Sequence, residues 1–355
     1  MQISGNKGLA LLSLGKHDEA IKVFDRAIEV DPQDAEAWIN KGTILGKDLH
    51  RYDEAIMAFD KAIEIDPYDA KAWNNKGIAL IRLGKHEDAV KVFDKVVEID
   101  PQDASVWQNK GDVLRNLNRY EDAIKAFDRA IEIDPQDAHV WSGKGDILGE
   151  DLYRYDEAII AYNKAIEINP KEAHAWGNKG VVLFKLGKYE DAIKAFDKAV
   201  EIDPQNAHAW YHKGIILDEL GKREDAIQVF DKAIEIDPQS ADSWNHKGII
   251  LNELGNHEGA IKAFDKAVEI DPQNADAWYD KAVTLGNLGR HEDALKSLDK
   301  AIEIDSQYPD AWYSKGLALG LLGRHEDALK AFDKAAEIDP QCVDTWYNKG
   351  TTLIV

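Results

Sequence analysis

The sequence lacks the features of a secreted, disulfide-bonded or membrane protein. Cys342 is the only cysteine in 355 residues, so no intramolecular disulfide can form and a reducing compartment is favoured. No stretch approaches the roughly 20 consecutive apolar residues that span a bilayer. Residues 1–8 do not show the basic and then apolar segments of a signal peptide. We therefore expect a soluble, cytoplasmic protein that does not bind membranes.

Basic residues are also in short supply. The chain has 44 Lys and Arg residues against 66 Asp and Glu residues, which gives a net charge of −22. An acidic surface repels phosphate backbones, and this argues against a nucleic acid partner. A basic or neutral peptide is the more suitable partner, although an acidic excess can serve solubility alone.

Patterns that indicate catalysis or a cofactor are missing as well. The sequence contains no glycine-rich phosphate-binding loop, no His-Glu-x-x-His motif and no motif around a nucleophilic serine. His208 and His212 could bind zinc or nickel together with His246, but helix pairs about 10 Å apart would strain a shared tetrahedral site. Histidines at the solvent edge are the preferred interpretation. We expect no enzyme activity and no cofactor.

What the sequence does have is a constant period. Its ten tryptophans, at 38, 73, 107, 141, 176, 210, 244, 278, 312 and 346, are 34 residues apart, or 35 where one residue is inserted. Such spacing indicates a repeat array, in which each repeat buries its apolar face against its neighbours. With tryptophan counted as position four, ten repeats occupy 1–34, 35–69, 70–103, 104–137, 138–172, 173–206, 207–240, 241–274, 275–308 and 309–342. Residues 343–355 form the first helix of a truncated eleventh repeat.

Each repeat is predicted to form two helices joined by a turn. Tryptophan, glycine and leucine at positions four, eight and eleven have helical spacing, and a helical wheel places them on the buried stripe. Alanine and phenylalanine repeat this spacing in the second half. Gly187 predicts the stop between two helices, and Asn206 is predicted to cap the next first helix.

The pattern W-x3-G-x2-L, then A-x3-F-x2-A, then proline resembles the tetratricopeptide repeat family over the whole chain. The resemblance implies an all-α fold, a right-handed superhelical solenoid in which the first helices line an inner groove. It also implies a non-catalytic scaffold for protein–protein interaction. The subclass that clamps the terminal carboxylate of chaperones carries lysines and asparagines at positions five and nine. Position five has no lysine here, so such a clamp is not expected.

Two repeats and both ends depart from the pattern. Repeats two and five carry one extra residue, within 46–52 and 149–155, which predicts a longer or distorted turn. Ser4 replaces the first tryptophan, and residues 353–355 are an apolar run halfway through a repeat. We therefore expect a fragment of a longer array whose uncovered ends favour a homodimer or end-to-end stacking.

Position six borders the predicted groove and is most often asparagine. The asparagines are Asn6, Asn40, Asn75, Asn109, Asn178 and Asn348. An amide has donors and an acceptor, so a row of amides could hold an extended peptide by its backbone. The row resembles the asparagine ladder in the tetratricopeptide arm of the O-linked N-acetylglucosamine transferases. The alternative is that asparagine is simply common at this position in the family.

The groove positions of the C-terminal half are acidic and rich in tyrosine. Position two is Asp242, Asp276, Asp310 and Asp344, and position five includes Tyr211, Tyr279, Tyr313 and Tyr347. Carboxylates and aromatic faces suit a basic or proline-containing peptide. The alternative is a solvated acidic stripe with tyrosines packed between neighbouring helices.

The sequence thus predicts a scaffold that binds an extended peptide or partner segment in the groove. The alternative function is a structural spacer or self-associating arm of a larger multidomain protein.

Overall fold

The computed structural model describes residues 10–352, which form helices and turns without any strand. The second helices of the repeats have odd numbers: α1 (His17–Val30), α3 (Tyr52–Ile65), α5 (His86–Ile99), α7 (Tyr120–Ile133), α9 (Tyr155–Ile168), α11 (Tyr189–Ile202), α13 (Arg223–Ile236), α15 (His257–Ile270), α17 (His291–Ile304) and α19 (His325–Ile338). The first helices have even numbers: α2 (Ala35–Thr43), α4 (Ala70–Arg82), α6 (Ala104–Asn116), α8 (Ala138–Asp146), α10 (Ala173–Lys185), α12 (Ala207–Glu219), α14 (Ala241–Glu253), α16 (Ala275–Asn287), α18 (Pro309–Leu321) and α20 (Val343–Thr352). The predicted all-α class, built of helix–turn–helix repeats, is confirmed.

The chain divides into two compact units, Met1–Val182 and Leu183–Val355. Within each unit, helices adjacent in sequence pack together. First helices of successive repeats also touch, as α2 with α4 in the first unit and α14 with α16 in the second. Each repeat therefore buries its apolar surface mainly on its neighbours, as expected for a repeat protein.

The turns and caps follow from local sequence. Gly187 ends a first helix with φ +69°, and Asn118 takes the equivalent place with φ +57°. Both residue types tolerate this left-handed conformation. Asn206 Oδ1 accepts a hydrogen bond from the Ala209 N–H at 3.0 Å, as its predicted role at the helix N-terminus requires.

The inserted residues of repeats two and five lengthen the first helix rather than the loop. Each first helix continues as a π-helical turn, Ile44–Asp48 after α2 and Ile147–Asp151 after α8. His50 and Tyr153 then adopt positive φ angles of 55° and 56°, where the other repeats mostly have glycine. The predicted distortion of these turns is confirmed, and its form is a π-helical insertion.

The glycine at position eight makes room for an aromatic ring of the second helix. A Cβ atom at Gly248 would lie 2.6 Å from Phe264, and one at Gly316 would lie 2.5 Å from Phe332. Repeat nine has Ala282 at this position, and there a leucine, Leu298, replaces the phenylalanine. Both of these side chains are buried, so a smaller partner offsets the added methyl group.

Tryptophan is not fully buried, so this part of the helical-wheel prediction is wrong. Position three is buried instead, for example Ala277, whereas the tryptophans from Trp38 to Trp312 are half-buried. The indole N–H is the reason, because it needs an acceptor. Trp278 Nε1 donates to the carbonyl of Pro272 at 3.1 Å, and the same bond across six residues recurs along the array.

At every tryptophan except Trp176, a lysine at position seven pairs with an aspartate of the preceding second helix; beside Trp176 that aspartate is replaced by Asn163. Lys281 Nζ lies 2.6 Å from Asp265 Oδ1 and 5.0 Å from the centre of the Trp278 ring. Nine such Lys–Asp pairs occur among the described residues, and their lysine side chains are only 17–25% exposed. The carboxylate and the aromatic face both stabilise the ammonium group. We call this Asp–Lys–Trp set the junction clasp.

Two glycines one turn apart on α18 test the packing at position eight. Gly316→Ala should lower the free energy of unfolding by about 1–3 kcal/mol, because the new methyl group overlaps the Phe332 ring. Gly320→Ala meets no atom within 4 Å and should stabilise the helix by up to about 1 kcal/mol. Urea denaturation of both variants measures the difference. Adding Phe332→Leu to Gly316→Ala should recover part of the loss, and equal effects of the two single variants would contradict this account.

Candidate peptide-binding face

Positions two, five, six and nine of the first helices form the candidate binding surface in each unit, here called the first-helix face. The residues predicted to bind a peptide all lie on it. Asp242, Asp276 and Asp310 are exposed, and Asn40, Asn75, Asn109 and Asn178 are half-buried. Asn6 and Lys7, from the first copy of the pattern, lie outside the described residues.

Some of the position-six asparagines are used inside the protein. Asn178 Nδ2 donates to Asp146 Oδ1 at 2.8 Å, and Asn75 Nδ2 lies 3.4 Å from Thr43 Oγ1. In both cases the acceptor stands at position nine of the preceding repeat. These amides therefore join neighbouring repeats, a role that the repeat pattern alone does not predict.

Other position-six asparagines keep their amides available. Position nine of the repeat before Asn109 is Ile78, and an isoleucine side chain accepts no hydrogen bond. Neither Asn109 nor Asn40 makes a side-chain hydrogen bond within residues 10–352. The polarity of position nine thus separates amides that join repeats from amides that can meet a ligand.

A buried carboxylate, Asp146, organises the first-helix face around repeat five. Tyr162 Oη donates to Asp146 Oδ1 at 2.9 Å, and His174 Nε2 lies 3.0 Å from Oδ2. Burial opposes ionisation of Asp146, but the hydrogen bonds from His174, Asn178 and Tyr162 outweigh it and hold its pKa below the usual value. The hydrogen bond to Asp146 raises the pKa of His174, so the pair favours the ionic state.

An arginine of repeat four completes this network. Arg115 Nη2 lies 2.6 Å from Glu150 Oε2, and Arg115 Nε lies 2.7 Å from Asp151 Oδ2. Both carboxylates belong to the π-helical turn that the insertion creates. The repeat pattern alone does not reveal this cluster, although Tyr162 in place of the usual phenylalanine is a signal of it in the sequence.

The tyrosines at positions 211, 279 and 313 pack against side chains of their own or the next repeat. The Tyr211 ring centre lies 5.4 Å from that of His246, and the Tyr279 ring centre lies 5.1 Å from that of Tyr308. Tyr313 Oη accepts a hydrogen bond from Asn348 at 3.1 Å. These contacts favour the packing interpretation for the three half-buried rings. Tyr347 differs, because 69% of it is exposed.

Acceptor groups accumulate beside these tyrosines. Asn245 is 8% exposed, and its Oδ1 makes no hydrogen bond in the described part of the chain. Its Nδ2 lies 3.4 Å from Asp280 Oδ2, and burial raises the pKa of Asp280 to about 6. Neither residue belongs to the set predicted from the sequence to bind a peptide. Together with exposed Asp242 and Asp276, they form a surface that suits a donor carrying positive charge.

The histidines considered as metal ligands are close but differ in environment. His208 Nε2 and His212 Nε2 are 2.9 Å apart, and the His212 ring stacks on Phe196 with centres 5.9 Å apart. Burial, followed by the nearby positive charge of His208, lowers the pKa of His212 to about 4. Residues 10–352 contain no group of three or more histidine, cysteine or acidic side chains arranged to hold a metal ion.

Models of known protein families match the repeats of this chain. Three tetratricopeptide repeat models match the chain: one at residues 6–70, 150–207, 178–241 and 211–275, another at 48–112, 80–147 and 251–318, and a third at 309–342. The chain belongs to the tetratricopeptide repeat (TPR) family. Membership supports a protein-interaction scaffold in general, in a family whose members are generally not catalytic.

Solved TPR structures resemble parts of the chain. YrrB, "a TPR protein with an unusual peptide-binding site", is 29% identical and covers 54% of this chain and 98% of its own, with a TM-score of 0.47. MamA from Desulfovibrio magneticus RS-1 is 25% identical over 48% of this chain and 96% of its own, with a TM-score of 0.44. A chain of the APC/C hetero-tetramer Cut9-Hcn1 is 13% identical over 98% of this chain and 82% of its own, with a TM-score of 0.52, which shows the fold alone. The search of curated proteins returned no match.

The TPR helices in the described range do not include one long and apolar enough to cross a membrane.

Asp280 provides a test of the electrostatics of the TPR first-helix face. Burial raises its pKa in the folded chain to about 6, above the value of 3.8 expected in the unfolded chain. The stability that Asp280 contributes is therefore fully present below pH 3.8 and is lost as the pH rises through about 6. Asp280→Asn, which restores the usual TPR asparagine, should raise the free energy of unfolding at pH 7.5 by about 1–3 kcal/mol. The gain should disappear at pH 4.

Urea denaturation across pH 4–8 measures this effect. Asp310→Asn is the matched control, because Asp310 is exposed and its replacement should change stability by less than about 0.5 kcal/mol. A gain for Asp280→Asn that does not vary with pH would contradict the assignment.

Proposed function

We propose that this TPR chain is a non-enzymatic, cytoplasmic scaffold that binds an extended segment of a partner protein along the first-helix face. The observation on which the proposal depends is the division of the position-six asparagines. Asn109 and Asn40 have unpaired amides on a surface where Asn75 and Asn178 are already hydrogen-bonded to the protein. An amide can donate to a peptide carbonyl and accept from a peptide N–H, so it binds backbone with little demand on side chains.

Selectivity in the second unit would come from charge. Asn245 Oδ1 and the carboxylates of Asp280, Asp276 and Asp242 offer acceptors, and none of these three carboxylates forms an ion pair within residues 10–352. A lysine or arginine of the partner supplies donors and positive charge at once. The exposed Tyr347 ring adds a face for cation–π contact. A basic segment is therefore the proposed ligand of this unit.

A second candidate is self-association through the last described helix. Trp346 on α20 is 50% exposed and Tyr347 is 69% exposed, whereas each of the other tryptophans is less exposed than Trp346. Covering this surface with a second copy would give a homodimer or an end-to-end stack. Sedimentation across a concentration range without any peptide tests this candidate, and a monomer at all concentrations would exclude it.

Alanine substitutions at position six test the peptide-binding proposal. A library of 12-residue peptides identifies ligands of the wild-type chain, and fluorescence anisotropy then gives their affinities. Asn109→Ala and Asn40→Ala should each weaken binding about 2–10-fold, because each removes one or two hydrogen bonds to the peptide. Their stability should stay close to that of the wild type.

Asn178→Ala is the matched control for this test. It removes the same amide from the same position, but this amide already donates a hydrogen bond to Asp146. The main effect should therefore be on stability and not on affinity. Unchanged binding by the Asn40→Ala, Asn109→Ala double variant would remove the proposed amide contacts.

A further inference from the structure

A cavity of about 700 Å³ opens on the first unit between α2, its π-helical turn and α4. Its apolar part is formed by the Phe59 ring, Ile78 and Ala79. Its polar lining comprises Asn40, Thr43, Lys47, His50, Tyr52, Lys71, Asn75 and Arg82. The cavity therefore combines two asparagines of the first-helix face with residues that only the insertion of repeat two supplies.

The charge of this cavity is opposite to that of the whole chain. Lys47, Lys71 and Arg82 line it, and no carboxylate does so among the described residues. None of these three cations has an ion pair within residues 10–352, unlike the lysines of the junction clasps. Two acids close to the insertion in sequence are paired with other groups, since Asp48 lies 3.5 Å from His17 and Asp53 lies 3.5 Å from Lys85.

The second insertion, in repeat five, provides an internal comparison. There Asp146 stands in place of Thr43, Glu150 in place of Lys47, and His174 in place of Lys71. The acidic turn is neutralised from within, because the Arg115 guanidinium lies 2.6 Å from Glu150 and 2.7 Å from Asp151.

Repeat two has no equivalent of this arginine. Leu12 occupies the position in repeat one that corresponds to Arg115 in repeat four. The two insertion sites thus have the same backbone form and a different charge, and none of the three cations at repeat two forms an ion pair within residues 10–352.

We propose that the cavity at repeats two and three binds an anionic oxygen group of a partner segment, either a carboxylate or a phosphate. Lys47, Lys71 and Arg82 supply charge, and the Asn40 amide supplies a further donor at the same cavity. Apart from the asparagine, these groups stand at position two, position thirteen and the inserted turn, and not at positions five and nine. The proposal rests on the proposed peptide-binding function and adds an acidic residue to the ligand of the first unit.

Charge-matched peptides test this proposal. Three labelled 12-residue peptides share one sequence and differ at a central pair of residues, which are Glu, phosphoserine or Gln. The wild-type chain should bind the Glu or the phosphoserine peptide at least about 10-fold more tightly than the Gln peptide at low salt, and the preference should shrink at 0.5 M NaCl. The stronger of the two anionic peptides identifies the source of the group.

Charge reversal locates the site. Lys71→Glu and Lys47→Glu should each abolish the preference for the anionic peptides, whereas Lys22→Glu, an exposed change on α1, should leave it intact. Asn109→Ala should weaken all three peptides equally and keep their ratio, which separates this proposal from backbone binding. Circular dichroism confirms that each variant is folded.

A readout without peptide covers the case in which no peptide binds. Inorganic phosphate at constant ionic strength should raise the melting temperature of the wild-type chain and of Lys22→Glu, because it relieves repulsion among the three cations. It should not do so for Lys71→Glu. The same phosphate response in all variants, or equal binding of the Glu, phosphoserine and Gln peptides, would overturn the proposal.

Discussion

The structure depends on the junction clasp, in which one lysine ammonium lies between an aspartate of the preceding second helix and the tryptophan of its own first helix. Isolated surface ion pairs contribute little, but this ammonium is largely shielded and has two partners. The tryptophan is fixed in turn by its N–H bond to a proline carbonyl. The set recurs at nine junctions, and the first-helix positions recur at a constant spacing within a unit.

A constant framework leaves chemical variation to a few positions of the first helix. Position nine shows how one residue changes the role of another. Where it is Asp146 or Thr43, the next asparagine is drawn into the protein, and where it is Ile78, the amide of Asn109 stays available. The same side chain thus serves stability in one repeat and can serve binding in the next. Asparagine at position six alone therefore does not define a peptide-binding ladder.

The sequence predicted the features that depend on residues close together in the chain. Helix pairs, the stop at Gly187, the cap at Asn206 and the altered turns all follow from neighbouring residues, and the structure has them. It did not predict partners some 30 residues apart, such as Asp146 with Asn178, because the period shows which positions recur and not which side chains meet across a junction. The tryptophan error has a similar cause: a helical wheel accounts for apolar area but not for the hydrogen-bond requirement of an indole.

Net charge is a weak guide to the partner of such a chain, because much of the charge is paired within helices. Second helices have pairs such as Lys300 with Glu303 at 2.7 Å, which cancel locally. A ligand therefore encounters the net charge that remains on the first helices, here called the remainder. In the first unit this remainder is cationic beside the π-helical turn of repeat two, whereas in the second unit it is anionic around Asp280. The deduction of a basic partner from the overall charge of −22 can therefore apply to one unit and fail for the other. A single extended partner would need acidic and basic residues in separate stretches, which is a stricter requirement than an excess of either charge.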